Sequence, residues 1–599
     1  MKTQCLAVSY VLVVLAVLLV FFSCSSSSET TDAGPGADTG PGADAGTAPP
    51  DAGTPADAGA DAGAPDSGAD AGTAYAAWDE TNRWKPAAMP ACPNPRNPTS
   101  KDLAGKAAYY DWLASKIHLV PETVRPFSLA HNVTLAGDVP TEIVPDAQIP
   151  AVATYHYAEN HGLWSSLFVA SQAFRYAATK SPESLSVLRR AFGGTYRAMK
   201  ITGIPGLFTR EYRDNTIPGN ECPAEGEEYA KPVERKGNRW VKLDENACTW
   251  YWDPDANGGA GAMVKDDPAH CVDPMYANMC WQRNCSKDES AGHNFAAAII
   301  YRIVDDPEIK AMAAEVLGGL AGHLVKNAYR LVDYDGIPTR YGSHYAMSLD
   351  ELPGFNALGA LAATRSGLTA TQDDEIRDAY FNCLLQMKGA RKCINQPTEY
   401  DAPYDYAAYM EDDLGINFAC TMNNYDNVNM ALLNFMTLVA HEGDPSLRAR
   451  FRAAFHRHSK GPNASGQSLW DELNPHWNFV LVGLLEKDDA KTMGVTMDEA
   501  RATKMIDEGI CTLKDFPETN VQRAADSTGY PETCVSQRHG SLTDKPVPIE
   551  ERCTSLFEWW GSPYERQTCG ADPKQADIPT SYLLPYWAGR HFGFINEDM

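Results

Sequence analysis

A chain of 599 residues that is 44% hydrophobic, with 13 Trp and 27 Tyr, holds enough apolar material for one large core. Its formal net charge of −27 argues against nucleic acid and against any polyanion held by bulk electrostatics. The 15 cysteines include no CxxC, and no His pair stands at zinc spacing, so no metal centre is expected.

Residues 1–23 carry one Lys, an apolar run from Leu6 to Phe22, and Ser23 just before Cys24, which reads as an export signal. A Cys at that place followed by serines resembles a bacterial lipoprotein box. The resemblance implies that Cys24 is acylated and anchors the protein to a membrane. Ser25 is no aspartate, so it gives no signal for inner-membrane retention, and the outer membrane or cell surface is the expected location. An ordinary cleaved signal and an uncleaved apolar anchor stay open as alternatives. Residues 24–74 form a low-complexity repeat of Asp, Ala, Gly and Pro, too poor in apolar surface to offset chain entropy, and read as an extended disordered tether. Residues 75–100 are a lead-in, and residues 101–599 the folded domain. With an export signal, cysteines in loops are expected to pair as disulfides. Setting Cys5 and Cys24 aside leaves an odd number, hence at least one free thiol. Short separations favour Cys383 with Cys393 and Cys553 with Cys569.

Within the domain, Lys101 to His118 reads as a helix. The central stretch follows, from His156 to Gly203. Trp164, Leu167, Phe168, Phe174 and Ala178 fall on one helical stripe. Ser181-Pro182-Glu183 then restarts the chain with an N-cap, a Pro at the first helical position and an acid in the first turn. Residues 204–287 form the longest irregular region, with five cysteines that argue for an ordered loop. The hairpin plan recurs at Asp288–Val304 with Pro307–Asn327, joined through Asp305-Asp306-Pro307, and at Tyr425–His441 with Ser446–Ser459, joined through Asp444-Pro445. Shorter helices fit Phe355–Arg365, Asp373–Lys388, His476–Lys487, Met497–Glu508 and Ser581–His591. About a dozen helices in antiparallel pairs predict an all-α protein, closing into an (α/α)6 toroid with long disulfide-containing loops rather than stacking as an open solenoid. The last helix, aromatic on most faces, suits a closing position.

The combination ENHGLWSSLFVASQAFRYAATKSPE, DESAGHNF, DGIPTRYG and LLPYWAGRHFGF resembles secreted bacterial proteins of the six-hairpin glycosidase-like class, over roughly residues 150–360 and 425–599. That resemblance implies the toroid, and glycoside hydrolysis or polysaccharide β-elimination. It transfers no individual catalytic residue.

A glycosidase needs two carboxyl groups across a cleft, one protonated and one ionised. The residues themselves offer Glu159, Asp288 and Glu289 as acids, with His293 four residues after Glu289 on the same face. Glu411, Asp412 and Asp426 are further acids at helix ends. Ser286-Lys287-Asp288-Glu289 is equally a capping box, whose acids start a helix and do nothing else. Asn160, His161 and Trp164 are candidates to bind a sugar ring, and Arg340 and Tyr341 to neutralise and deprotonate a uronate in a lyase. Each set also has a bland reading, as a polar helix start and as a loop whose Arg pairs with an acid. Trp250, Tyr251 and Trp252, or Trp559, Trp560 and Tyr564, are sugar platforms or loop anchors. Asp253, Asp255 and Asn257 have the opening of a calcium loop, but Val264 stands where the bidentate Glu belongs, so calcium there is only a weak option. No cofactor is expected. The leading expectation is a surface-anchored carbohydrate-active enzyme, hydrolase before lyase. The alternative is a non-catalytic envelope lipoprotein that binds a glycan or a protein.

Overall fold

Three helical hairpins turn where a polar N-cap meets a Pro. Ser181 Oγ accepts from Ser184 N at 3.2 Å, Asp306 Oδ1 from Ile309 N at 3.0 Å and Asp444 Oδ1 from Leu447 N at 3.0 Å. Each cap is followed by Pro182, Pro307 or Pro445 at the first helical position, where the missing N–H costs nothing. The computed structural model describes residues 84–86, 89–92, 101–120, 130, 132–157, 160–231, 239–266, 269–346, 353–386, 405–412, 414, 425–460, 469–485, 487, 497–536, 540–554 and 562–599. All of them lie in a unit spanning Ala69–Met599.

The helices in chain order are α1 (Leu103–Leu113), α2 (His161–Thr179), α3 (Pro182–Lys200), α4 (Lys287–Ile303), α5 (Pro307–Lys326), α6 (Pro353–Thr371), α7 (Asp374–Asp378, continued to Leu384), α8 (Tyr406–Asp412), α9 (Tyr425–His441), α10 (Pro445–Lys460), α11 (Pro475–Gly483), α12 (Glu499–Asp515) and α13 (Thr580–Phe592). Among the described residues they form two classes. Helices α2, α4, α6, α9, α11 and α13 are buried on nearly every side, whereas α3 and α12 bury one stripe and leave the other wet. The buried helices are neighbours in series. Gly162 N of α2 meets Glu289 of α4, and Ser366 of α6 donates to Asn294 of α4. Arg365 of α6 reaches His441 O at the end of α9, and Asn429 of α9 accepts from Trp477 of α11. Phe479 of α11 packs on Gly589 of α13, and Phe592 of α13 lies 6.2 Å from Phe174 of α2. The series is irregular at α6. His441 of α9 also touches Ala298 of α4 directly, while α6 leans on α5, where Gly367 leaves room for Ala321 and Leu317.

The chain is not all-α. Among the described residues fifteen short strands form five sheets. Strands β1 (Asn132–Leu135) and β2 (Val152–His156) precede α2; β3 (Tyr212–Asp214), β4 (Trp240–Leu243), β5 (Thr249–Asp253), β6 (Ala262–Lys265) and β7 (Met279–Gln282) precede α4; β8 (Arg330–Val332) and β9 (Pro338–Ser343) precede α6. Strands β10 (Val521–Gln522), β11 (Ala525–Asp526), β12 (Glu532–Ser536), β13 (Gly540–Thr543), β14 (Thr568–Cys569) and β15 (Asp572–Asp577) precede α13. Every strand therefore falls in a connection leading into a buried helix. The return connections α2–α3, α4–α5, α6–α7 and α9–α10 are only two or three residues long. The expected ordered loop of residues 204–287 is a five-stranded sheet in the order β3-β7-β4-β5-β6, tied by Cys222–Cys280 and Cys248–Cys271.

Cys553–Cys569 forms as expected. Cys383 is in a disulfide, and Cys393 lies outside the described residues. Cys285 is a buried free thiol. Cys92 is bonded to Cys511 of α12, a pairing across 419 residues that separation along the chain does not suggest. Cys24 and the tether lie outside the described residues, among which no helix is long and apolar enough to cross a membrane.

Candidate functional site

Helices α2 and α4 start side by side and run the same way. Gly162 N donates to Glu289 Oε1 at 3.4 Å and Ser286 Oγ to Asn160 Oδ1 at 3.1 Å, while at the far end Tyr176 Oη donates to Asp305 Oδ1 at 2.6 Å. Two glycines permit this approach. A Cβ on Gly162 would lie 2.4 Å from His293 Nε2, and one on Gly292 would lie 2.8 Å from Leu163 Cα. Strands β2 and β15, which precede α2 and α13, both pair antiparallel with β1, level at Asn132, and Phe174 late in α2 lies 6.2 Å from Phe592 at the end of α13, so those two helices also share a direction. The starts of α2, α4 and α13 thus lie at one end, the end that carries their long connections.

Glu289 is wholly buried and completes a capping box: Ser286 Oγ accepts from Glu289 N at 3.3 Å, and Glu289 Oε2 accepts from Ser286 N at 3.2 Å. Burial pushes its carboxyl up to about 7, although the Arg210 guanidinium at 3.8 Å and the Ser286 and Gly162 N–H groups pull the other way. Glu289 therefore stands near half protonation at neutral pH. Asp288 is half-buried beside it. Lys287, at the first helical position, is 8% exposed, and burial lowers its ammonium to about 8 against the pull of Asp288.

His293 lies one turn further on, its ring stacked on Phe208 at 4.1 Å and its Nδ1 3.3 Å from Ser166 Oγ. Burial lowers it to about 3, so it is neutral at physiological pH. His161 Nε2 is 3.3 Å from Ser165 Oγ, with Tyr157 edge-on at 4.7 Å. Trp164, proposed from the sequence as a ring platform, is 2% exposed and belongs to the core. His344, in the segment after β9, comes within 3.3 Å of Ser290 Oγ through its Nε2. Arg340 and Tyr341 are exposed on β9, the guanidinium 4.9 Å from the ring. Their strand is pinned to the lead-in of α4, since Arg340 N donates to Asn284 Oδ1 at 2.7 Å and Arg283 Nη2 to Asp335 Oδ2 at 2.5 Å. Asn160, His161, Asp288, Glu289 and His293 thus gather around the starts of α2 and α4, while Arg340 and Tyr341 are tied to them through the backbone of β9. Glu159 lies outside the described residues.

Arg210 and Glu211, just before β3, escape the sequence reading. Arg210 donates through Nε to Asn284 O at 2.7 Å and through Nη1 to Asn160 Oδ1 at 3.2 Å, so one cation joins both helix starts. Glu211 pairs with Arg213 at 2.8 Å, and burial raises its carboxyl. No motif marks either residue, because a buried Arg or Glu reads in sequence like a surface one. A cavity of about 20 Å³ lies between α2, α3 and this segment, roomy enough for one water and far too small for a sugar ring.

The other candidates disperse. Glu411 is held by Arg450, and the side chains of Asp412 and Asp426 lie outside the described residues. Asp253 Oδ1 accepts from Asp255 N at 2.9 Å in the turn joining β5 to β6, and no group of three or more metal-ligating residues is gathered among the described residues. Trp250 donates to Asp244, Lys231 sits 3.9 Å over Tyr251, and Trp252 packs on Gly261, which makes them anchors of the five-stranded sheet. Trp559 and Trp560 lie outside the described residues, and Tyr564 is buried.

No family model matches the chain, and no curated protein matches it. Among solved structures it aligns with a metagenome-derived glycoside hydrolase family 9 endoglucanase at 12% identity and a TM-score of 0.32, covering 82% of this chain and 80% of that one. It aligns equally with AaCel9A in complex with cellobiose-like isofagomine, at 12% identity and 0.32 over 80% and 84% of the two chains. A thermostable endoglucanase from Alicyclobacillus acidocaldarius gives 12% and 0.32 over 82% and 85%. Likenesses this distant leave function to the chemistry of this chain's own residues.

Proposed function

We propose that the chain is a six-hairpin (α/α)6 toroid, distorted at α6, that acts on carbohydrate at the end where α2 and α4 begin, and that it is held at the cell surface through Cys24. The observation that carries the reading is the asymmetry of the connections. Short returns close one end, while all the strands, and the side chains of Asp288, Glu289, Arg340 and Tyr341, belong to the other. Loops mounted on a rigid scaffold are where binding and catalysis concentrate. Glu289, raised to about 7, has the character of a general acid, and Asp288 or Glu159 is the candidate for the second carboxyl group. Arg340 and Tyr341 would then contact the saccharide from the exposed hairpin.

The test is a panel of polysaccharides assayed for new reducing ends, with protein lacking residues 1–74. Asp288→Asn should lower turnover by about 10²–10⁴-fold, the range of acid–base catalysis, with the thermal midpoint unchanged. Full activity in both Asp288→Asn and Glu289→Gln would refute the assignment. A second reading, a glycan-binding protein without turnover, draws on a specific observation: both Glu289 oxygens are already committed to backbone N–H groups. Saturable binding on a glycan array with no product from any bound glycan would favour it.

A further inference from the structure

The cavity beside His293 has a chemistry of its own, which owes nothing to the proposed activity. It is lined by His161, Ser165, Thr195, Glu211 and His293 among others. Two polar atoms of this lining, His293 Nε2 and Thr195 Oγ1, have no hydrogen-bond partner among the described residues, although their side chains are only 1% and 4% exposed. A buried polar atom left unsatisfied is costly, and native interiors avoid it. One such atom can be an accident of packing. Two on residues that line the same small space, one able to donate and the other to accept, suit a ligand that does both.

We propose that this cavity is a binding site for a single internal water molecule, which accepts from Thr195 Oγ1 and donates to His293 Nε2. Size and polarity agree: about 20 Å³ exceeds the roughly 10–15 Å³ that one water needs, and the Glu211 carboxylate and Ser165 hydroxyl in the same lining offer further partners. The occupant is neutral and no larger than water, since an ion would bring a charge into a space already bordered by Arg210 and Glu211. The water also fixes the tautomer. With Nε2 accepting, the ring proton sits on Nδ1 and is donated to Ser166 Oγ at 3.3 Å. The imidazole is then held on every side, by Phe208 on one face, Gly162 against its Nε2 edge, Ser166 and the water. His293 is on this account a positioning residue that seats the first turn of α2 against α4.

The test uses the whole folded chain. A high-resolution crystal structure should show one isolated density peak within hydrogen-bonding distance of both atoms, present in wild type and Thr195→Ser and gone in the isosteric Thr195→Val. In ¹⁵N spectra of histidine-labelled protein, His293 Nε2 should be unprotonated and hydrogen-bonded in wild type and Thr195→Ser, and should move towards the non-bonded position in Thr195→Val. A cavity without density in wild type, xenon occupying it under pressure, or an Nε2 resonance that is the same in wild type and Thr195→Val would overturn the proposal. Should Thr195→Val fail to fold, the wild-type density and resonance still decide.

Discussion

Glu289 shows how one carboxyl group can be a structural cap and a titrating acid at once. Its two oxygens take N–H groups from two different helices, Gly162 of α2 and Ser286 at the start of α4, so it joins the helices it caps. Its ionised form is disfavoured chiefly by burial, with the neighbouring Asp288 charge adding to the effect. The folded value of about 7 lies above the ordinary 4.5, so the native state holds this proton where the unfolded chain has already lost it. Its contribution to stability is complete below the unfolded value and is lost as pH rises through the folded one. Wild type should therefore lose stability between about pH 4.5 and 7 relative to Glu289→Gln, by a few kcal/mol at most. Denaturant melts of both proteins across that range give the slope. Equal slopes would show that Glu289 is ionised throughout.

At the scale of elements, the hairpin turns carry a simple expectation. Ser181→Ala, Asp306→Ala and Asp444→Ala should each cost about 1 kcal/mol, because each removes the N-cap and leaves the following Pro in place; Asp444 caps through two N–H groups, and Asp306 also loses its ion pair with Arg189. Chemical denaturation of the three single variants checks this, and losses well above that figure would mean the turns do more than cap. These same turns made the helices legible in the sequence, since an N-cap, a Pro and a stripe of apolar residues at helical spacing are local signals. The strands were not legible as a group, being two to six residues long and too short for a period of two to stand out. Even so, the residues of β4 and β5, WVKL and TWYWD, have the β-branched and aromatic composition of strands. The helices α6 and α12 run further than their apolar spacing indicates, because all-round burial erases the stripe in α6 and Leu513 extends it in α12. Of the site, the meeting of α2 with α4 could be suspected from their polar starts. Arg210 could not, because its role depends on a pairing between β3 and β7 that places it beside Asn160.

Across the whole molecule, the long, strand-bearing connections lead into the buried helices and the short returns leave them. The lead-in is fastened to this scaffold before α1 begins. Trp84 is buried, Lys85 lies against Gly593 at the end of α13, and Cys92 is bonded to Cys511 in α12. The bond joins residues 419 positions apart, and so it short-circuits most of the domain as a mechanical path. Tension applied at residue 92 and at the C-terminus runs through the disulfide into residues 511–599, and the chain between the two cysteines bears none of it. In a pulling experiment from the lead-in to the C-terminus, the oxidised protein should therefore release only the short length that follows Cys511. Cys92→Ser should add a long extension as the chain before Cys511 unravels. Equal contour lengths in the two proteins would show that the bond does not carry the load. A chain held in this way can be tugged at its N-terminal side while the starts of α2 and α4 stay outside the line of force.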